Sequence, residues 1–282
     1  MAISDWYALC KEGVQLNDFA CHFLKLDKLY EFTVLTKIVH AFQDIGFVNK
    51  AREWHNMSVK VFGGEASSER PSSSPFNYYR WTYNEHLTIE LWYEPRIYTI
   101  KNARENDLVV VKSEYYESDS YYLTPDFVFK LKWDDKSQAD YFIMDAKHSS
   151  DKSVEKNYVK ALTEKYLNSV HVRTIHCLQN PIKAIWALYA RGEDWISGYG
   201  VAHSVLGANT IFPSIMGVLV DTKSTSIFKD CFMALLGKLN TMHTYEENMY
   251  LNAVEIRRKA NLEIRNESQE NNAIEQENEV LN

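Results

Sequence analysis

Two β-prone runs joined by a short polar segment set the strongest limit on how this chain folds. YYLTPDFVFKLKW (121–133) and YFIMDAKHSS (141–150) flank DDKSQAD (134–140), a pattern that predicts an antiparallel hairpin. Alternate side chains of a strand share a face, so Asp145 and Lys147 point the same way, with Ala146 between them. Pairing the runs about the centre of the polar segment puts Asp126 at the same end of the hairpin. Two carboxylates and one ammonium then converge on a small volume. Such carboxylates repel and are costly to desolvate. A divalent cation relieves both costs, and Mg²⁺ prefers one or two carboxylates plus water and phosphate oxygens. Asp126 and Asp145 are therefore candidate ligands, Mg²⁺ or Mn²⁺ the candidate cofactor, and Lys147 the group that orients a water beside it.

The rest of the chain reads as alternating elements. Tyr30, Val34, Leu35, Ile38, Val39, Phe42 and Ile45 make an amphipathic helix of residues 27–47, with Asp27 as N-cap and Gly46 as C′ residue. MSVKVF (57–62) reads as a strand and GGEASSERPSSSP (63–75) as a loop. HLTIELWYEP, RIYTI and DLVVV are further strand signals. Residues 151–170 read as a helix started by Asp151 or Ser153, and IKAIWALYA and SIMGVLVD as strands buried on both faces. Residues 225–240 and the segment HTYEENMYLNAVEIRRKANLEI read as helices. The order predicts a mixed α/β domain with helical additions.

Charge and motifs narrow the function classes. The net charge is −7, and 262–282 carries six Glu and one Arg, so the rest of the chain stands near neutrality. No overall basic footprint announces a nucleic-acid binder, although a local groove is enough for an enzyme. The four cysteines form no C-x-x-C pair, which argues against a zinc site or a disulfide framework. No long apolar run and no secretory pattern appear, so the expectation is a cytoplasmic protein with no membrane partner. G-x-x-x-x-G-K-[ST], G-x-G-x-x-G and G-x-S-x-G are all missing from the chain.

Pro125-Asp126, 18 intervening residues, then Asp145-Ala146-Lys147 resembles the motif of the PD-(D/E)XK nuclease superfamily, with Asp145 where that superfamily more often has Glu. Tyr30-Glu31 in KLYEFTVLTKIVHAFQDIGF, together with LTIELWYEPRIYT, LTPDFVF and MDAKHSS, is similar to the McrC-like restriction nuclease branch. The resemblance implies a restriction-endonuclease-like core, an αβββαβ mixed sheet flanked by helices, over residues 27–221. Around it, 1–26 is expected as a helical N-terminal extension, 222–265 as C-terminal helices and 266–282 as an acidic disordered tail.

The same resemblance implies a metal-dependent DNA endonuclease of a restriction or anti-phage defence system. It would leave a 5′-phosphate and a 3′-hydroxyl, with a separate NTPase subunit as partner and an oligomer as one form of the assembly. Asp126 and Asp145 would be metal ligands, with the Ala146 carbonyl, and Lys147 would be catalytic. Glu31 is expected as a further metal ligand, with Glu90 on LTIEL as its competitor. Lys165 and Tyr166 would face the site from the following helix. The chemistry leaves RNA open as a substrate. The reading from another class is a catalytically silent nuclease-fold subunit acting in assembly or nucleic-acid binding.

Overall fold

The computed structural model describes residues 26–72, 74–104, 106–111, 121–173, 178–197, 203–207, 210–221 and 225–280, with backbone alone for 178, 179 and 260–280. Residues 1–25 of the expected N-terminal extension lie outside the described residues. The chain divides into two compact units, Met1–Met233 and Ala234–Asn282. The first is a mixed α/β unit built on an eight-stranded sheet.

The strands of that sheet are β1 (Val48–Glu53), β2 (Tyr78–Tyr83), β3 (Leu87–Tyr93), β4 (Phe127–Trp133), β5 (Asp140–Ser150), β6 (Ile182–Arg191), β7 (Trp195–Ser197) and β8 (Ser214–Leu219). They lie in the order β1-β2-β3-β4-β5-β6-β8-β7. From β1 to β5 each neighbour is antiparallel. β5 to β6 and β6 to β8 are parallel, and β7 returns antiparallel on the edge. The parallel step from β5 to β6 carries the two helices that such a crossover requires, α2 (Asp151–Asn157) and α3 (Val159–Leu167). The predicted 121–150 hairpin is β4–β5, with Asp140 opposite Leu131 and Met144 opposite Phe127.

Helices cover both faces. α1 (Leu26–Ile45) buries Val34, Leu35, Ile38 and Phe42. On that face the Phe42 ring meets those of Phe47, Trp81, Phe129 and Phe232, at centroid distances of 4.8, 4.8, 5.9 and 4.8 Å. Phe232 belongs to the first turns of α4 (Ser226–Val280). On the opposite face Val154, Val159, Leu162 and Tyr166 from α2 and α3 join Val128, Tyr141, Ile143, Ile185 and Tyr189 in one core. α1 ends as its sequence predicts. Gly46 takes φ +94°, its N–H donates to Gln43 O and that of Phe47 to Phe42 O, the paired bonds of a glycine-terminated helix.

Four local expectations are corrected. Asp27 lies inside the first turn of α1 rather than capping it. MSVKVF is a turn, because the Ser58 amide and hydroxyl both donate to Asn56 Oδ1 and Val59 N–H donates to Asn56 O. That side-chain chemistry competes with a ladder, and the strand is the polar, exposed edge VNKARE instead. The helix of 151–170 is divided at Tyr158. In place of separate C-terminal helices and a disordered tail, the backbone is one helix, Ser226–Val280. Gly237 is the only glycine in that span and no proline interrupts it, while the Glu, Gln and Ala of 266–280 are good helix formers. Among the described residues no helix is long and apolar enough to cross a membrane.

Phe42 is fully buried and joins α1, β2, β4 and α4. Phe42→Ala should destabilise the protein by about 3–5 kcal/mol, read in urea unfolding as a lower midpoint at unchanged slope. An unaltered midpoint would mean that α1 is not packed on this face.

Candidate active site

The hairpin register that buries Phe129, Phe142 and Ile143 also sets the acids. Beyond the last ladder pair, Met144–Phe127, the next residues on the two strands are Asp145 and Asp126, and they lock to each other. Asp126 N–H donates to Asp145 Oδ1 at 3.2 Å, and Ala146 N–H donates to Asp126 Oδ2 at 2.7 Å. Lys147, two residues on and on the same face, places Nζ 3.3 Å from Asp145 Oδ2 and 3.8 Å from Asp126 Oδ2. His148 takes the other face, its ring 5.6 Å from that of Tyr30 on α1.

Two further elements close the cluster. From α3, the Tyr166 hydroxyl sits 3.1 and 3.3 Å from the two Asp145 oxygens, and Lys165 Nζ donates to that hydroxyl at 2.9 Å. Both residues expected on this helix therefore reach the site, Tyr166 directly and Lys165 through it. From α1, Glu31 is buried and interacts electrostatically with Asp126 and Lys147. Its carboxylate accepts from Lys28 Nζ at 2.6 Å and from the Tyr93 hydroxyl at 3.4 Å.

Lys28 also donates to Glu94 Oε1 at 2.5 Å, and Glu94 N–H donates to Asp126 O at 2.8 Å. Lys28, Tyr93 and Glu94 carried no signal in the sequence. Glu94 has φ +51°, a region that a non-glycine residue occupies only where its surroundings hold it there.

Glu90 is not part of the cluster. It accepts from the Tyr78 hydroxyl at 3.0 Å and lies across the ladder from Arg80 and Lys130. Of the two glutamates, Glu31 is the one that acts on Asp126. Among the described residues no three or more His, Cys, Asp and Glu side chains are grouped to hold a metal, and the Glu31 carboxylate is engaged by Lys28. Ala146 meets the acids through its N–H, within the parallel ladder to β6.

Electrostatics show what the cluster lacks. Burial first, and the neighbouring Asp145 second, push the Asp126 carboxyl well above its usual range. Burial raises Glu31 against the pull of Lys28. Burial works against the Lys147 ammonium, but Asp145 and Asp126 outweigh it and hold its pKa up. Burial and Asp145 push the Tyr166 phenol upward, so it keeps its proton and donates. Four carboxyl groups, Asp126, Asp145, Glu31 and Glu94, face Lys28 and Lys147, with Lys165 reached only through Tyr166, so carboxyl groups outnumber ammonium groups. Hard carboxylate oxygens with that surplus fit a small dication. The pair that would hold it is Asp126 and Asp145. No family model, no curated protein and no solved structure matches the chain.

Because the folded protein holds Asp126 protonated more readily than the unfolded chain, metal-free stability should fall as pH rises from about 4 through the raised folded value. Asp126→Asn keeps an acceptor for Ala146 N–H and removes the charge. It should raise the metal-free Tm at pH 7, by ~2–4 °C for each 1 kcal/mol of repulsion relieved, and flatten that part of the pH profile. Mg²⁺ should raise the Tm of the wild type and not of the variant. Calorimetric scans across pH, with and without Mg²⁺, check both; a lower metal-free Tm for Asp126→Asn would make Asp126 purely structural.

Proposed function

We propose that the protein is a Mg²⁺- or Mn²⁺-dependent nuclease that hydrolyses DNA phosphodiester bonds in the PD-(D/E)XK manner. The observation that carries this reading is the mutual lock of Asp126 and Asp145, with Lys147 bonded to one and close to the other. The chain order around the lock supports it: α1, the antiparallel run β3-β4-β5, the helices α2 and α3, then β6 parallel to β5. With β1 and β2 standing between α1 and β3 as additional strands, this order is compatible with the αβββαβ succession which the resemblance implies. The restriction or defence setting and a separate NTPase subunit belong to the proposal on the resemblance alone.

Asp126 and Asp145 would hold the cation, which when bound supplies Lewis-acid polarisation of the scissile phosphate and lowers the pKa of water. Lys147 orients the attacking water and sets its positive charge against the charge that develops on the phosphoryl oxygens. Its raised pKa keeps it charged through that step. Tyr166, hydrogen-bonded to both Asp145 oxygens, fixes the rotation of that carboxylate. Lys28 bridges Glu31 and Glu94 beside the pair and offsets one of their two negative charges.

Mg²⁺ or Mn²⁺ should support cleavage of plasmid DNA and EDTA should stop it; equal cleavage in EDTA would sink the mechanism. Lys147→Ala should lower the single-turnover rate by about 10²–10³-fold while metal affinity, measured by calorimetric titration, holds or rises, because a neighbouring positive charge is gone. Wild-type cleavage by Lys147→Ala would transfer the case to a non-catalytic assembly role.

A further inference from the structure

At the turn end of the β4–β5 hairpin a cavity of about 250 Å³ opens on the sheet face that α2 and α3 cover. Tyr141 lines it, four residues before Asp145 on β5, which is roughly 13 Å along the strand. The cavity is therefore separate from the acid cluster. Its polar lining comes from Asn106, Lys130, Lys132, Ser137, Gln138 and Tyr141, and Val172 and Pro181 add apolar wall.

Tyr141 identifies the kind of ligand. The side chain is only 1% exposed. Its ring stands edge-on to that of Phe62, and Lys130 Nζ lies 5.9 Å from its centroid. Burial holds the phenol protonated, so its hydroxyl is a donor. Among the described residues that hydroxyl has no hydrogen-bond partner, and it is not one of the buried polar atoms sealed from solvent. The opening left to it is the cavity.

Lys130 and Lys132 make no ion pair among the described residues. Glu90, opposite Lys130 in the ladder, is engaged with the Tyr78 hydroxyl. Asp107, the other acid acting on this region, has its carboxyl pushed upward by burial against the pull of Lys130, Arg104 and Lys60.

A cation would meet two ammonium groups here, and an apolar ligand would leave a buried hydroxyl without a partner. An anion with several acceptor oxygens satisfies the lysines, the phenol, the serine hydroxyl and the carboxamides together. A carboxylate offers only two oxygens, whereas a phosphate offers three or more with a larger charge. The volume approaches the ~300 Å³ at the lower end of small-ligand pockets, more room than a phosphate fills, so an organic portion can lie on Val172 and Pro181. We propose that this cavity is a binding site for the phosphate group of a phosphate ester, carried either by a free nucleotide or by a nucleic-acid strand. The site does not depend on the nuclease reading.

Calorimetric titration of the full chain in EDTA, with AMP, inorganic phosphate and a short single-stranded oligonucleotide, tests it without cleavage. AMP or the oligonucleotide should bind, and Lys132→Glu, an exposed position, should weaken binding about tenfold or more. Tyr141→Phe keeps the ring packing and should weaken it about threefold to tenfold. Unchanged Tm values verify that both variants fold. AMP binding at least as tight as the oligonucleotide's identifies a free ester; tighter binding of the oligonucleotide, equally sensitive to Lys132→Glu, identifies a strand. Wild-type protein that binds none of the three, or binding indifferent to both substitutions, overturns the proposal and leaves the acid site untouched.

Discussion

The register of β5 is the constraint on which the rest depends. The strand is paired on both sides, antiparallel to β4 and parallel to β6, and every residue from Asp140 to Ala146 is buried. A slip of one residue would exchange its faces, sending Phe142 into the α2–α3 core and turning Asp145 and Lys147 toward α1. The same apolar packing that selects the register therefore aims the acids, and no separate device is needed to bring Asp126 to Asp145. Their contact begins where the ladder ends, at the first place on the strand where side-chain oxygens and free N–H groups can meet without breaking sheet pairing.

Holding like charges there is costly, and the surroundings show how the cost is limited. Each aspartate accepts a backbone N–H from the opposite strand, which favours the ionised form. Lys147 lies within ion-pair distance of both. Lys28 is committed elsewhere, bridging Glu31 and Glu94. The imbalance falls on the aspartate pair, and burial turns it into the upward shift at Asp126. Replacing a partner ammonium or adding a cation act on the same quantity with opposite sign, which ties the pH dependence of stability to metal binding.

What the sequence disclosed follows the range of the interactions. The hairpin, Asp126, Asp145 and Lys147 were legible because a two-residue period and a short connection convert spacing directly into position. Gly46 was legible because a helix end leaves a local signature. The neighbours of Glu31 were not. Lys28 lies three residues away, but its second partner, Glu94, is 66 residues distant and reaches it only through a left-handed backbone after β3. Edge strand β1 was missed because VNKARE has no apolar face to reveal it, and MSVKVF misled because Asn56 turns a run of strand-like composition. The continuous α4 was obscured by Thr241, His243 and Thr244, weak helix formers that interrupt nothing once flanking turns propagate the hydrogen bonding.

The placement of the two polar clusters follows from the sheet itself. Between its ends the β4–β5 pair is apolar on the α1 face, where Phe129, Leu131 and Phe142 meet helices. On the other face Val128 and Ile143 are sealed beneath α2 and α3. An ionised or unpartnered group in that middle stretch would be desolvated without recompense. The polar groups lie at the two ends of the pair, the Asp126–Asp145 end, where Tyr166 of α3 supplies a hydrogen bond, and the Lys130–Tyr141 end. At the first, carboxylates outnumber ammoniums; at the second, lysines and hydroxyl donors line the opening. The opposite polarity of the two ends means that they would not serve one ligand group interchangeably: the first would favour a small hard cation and the second an oxyanion. A phosphate would need the cation to approach the acids, whereas the far cavity presents its own positive charge.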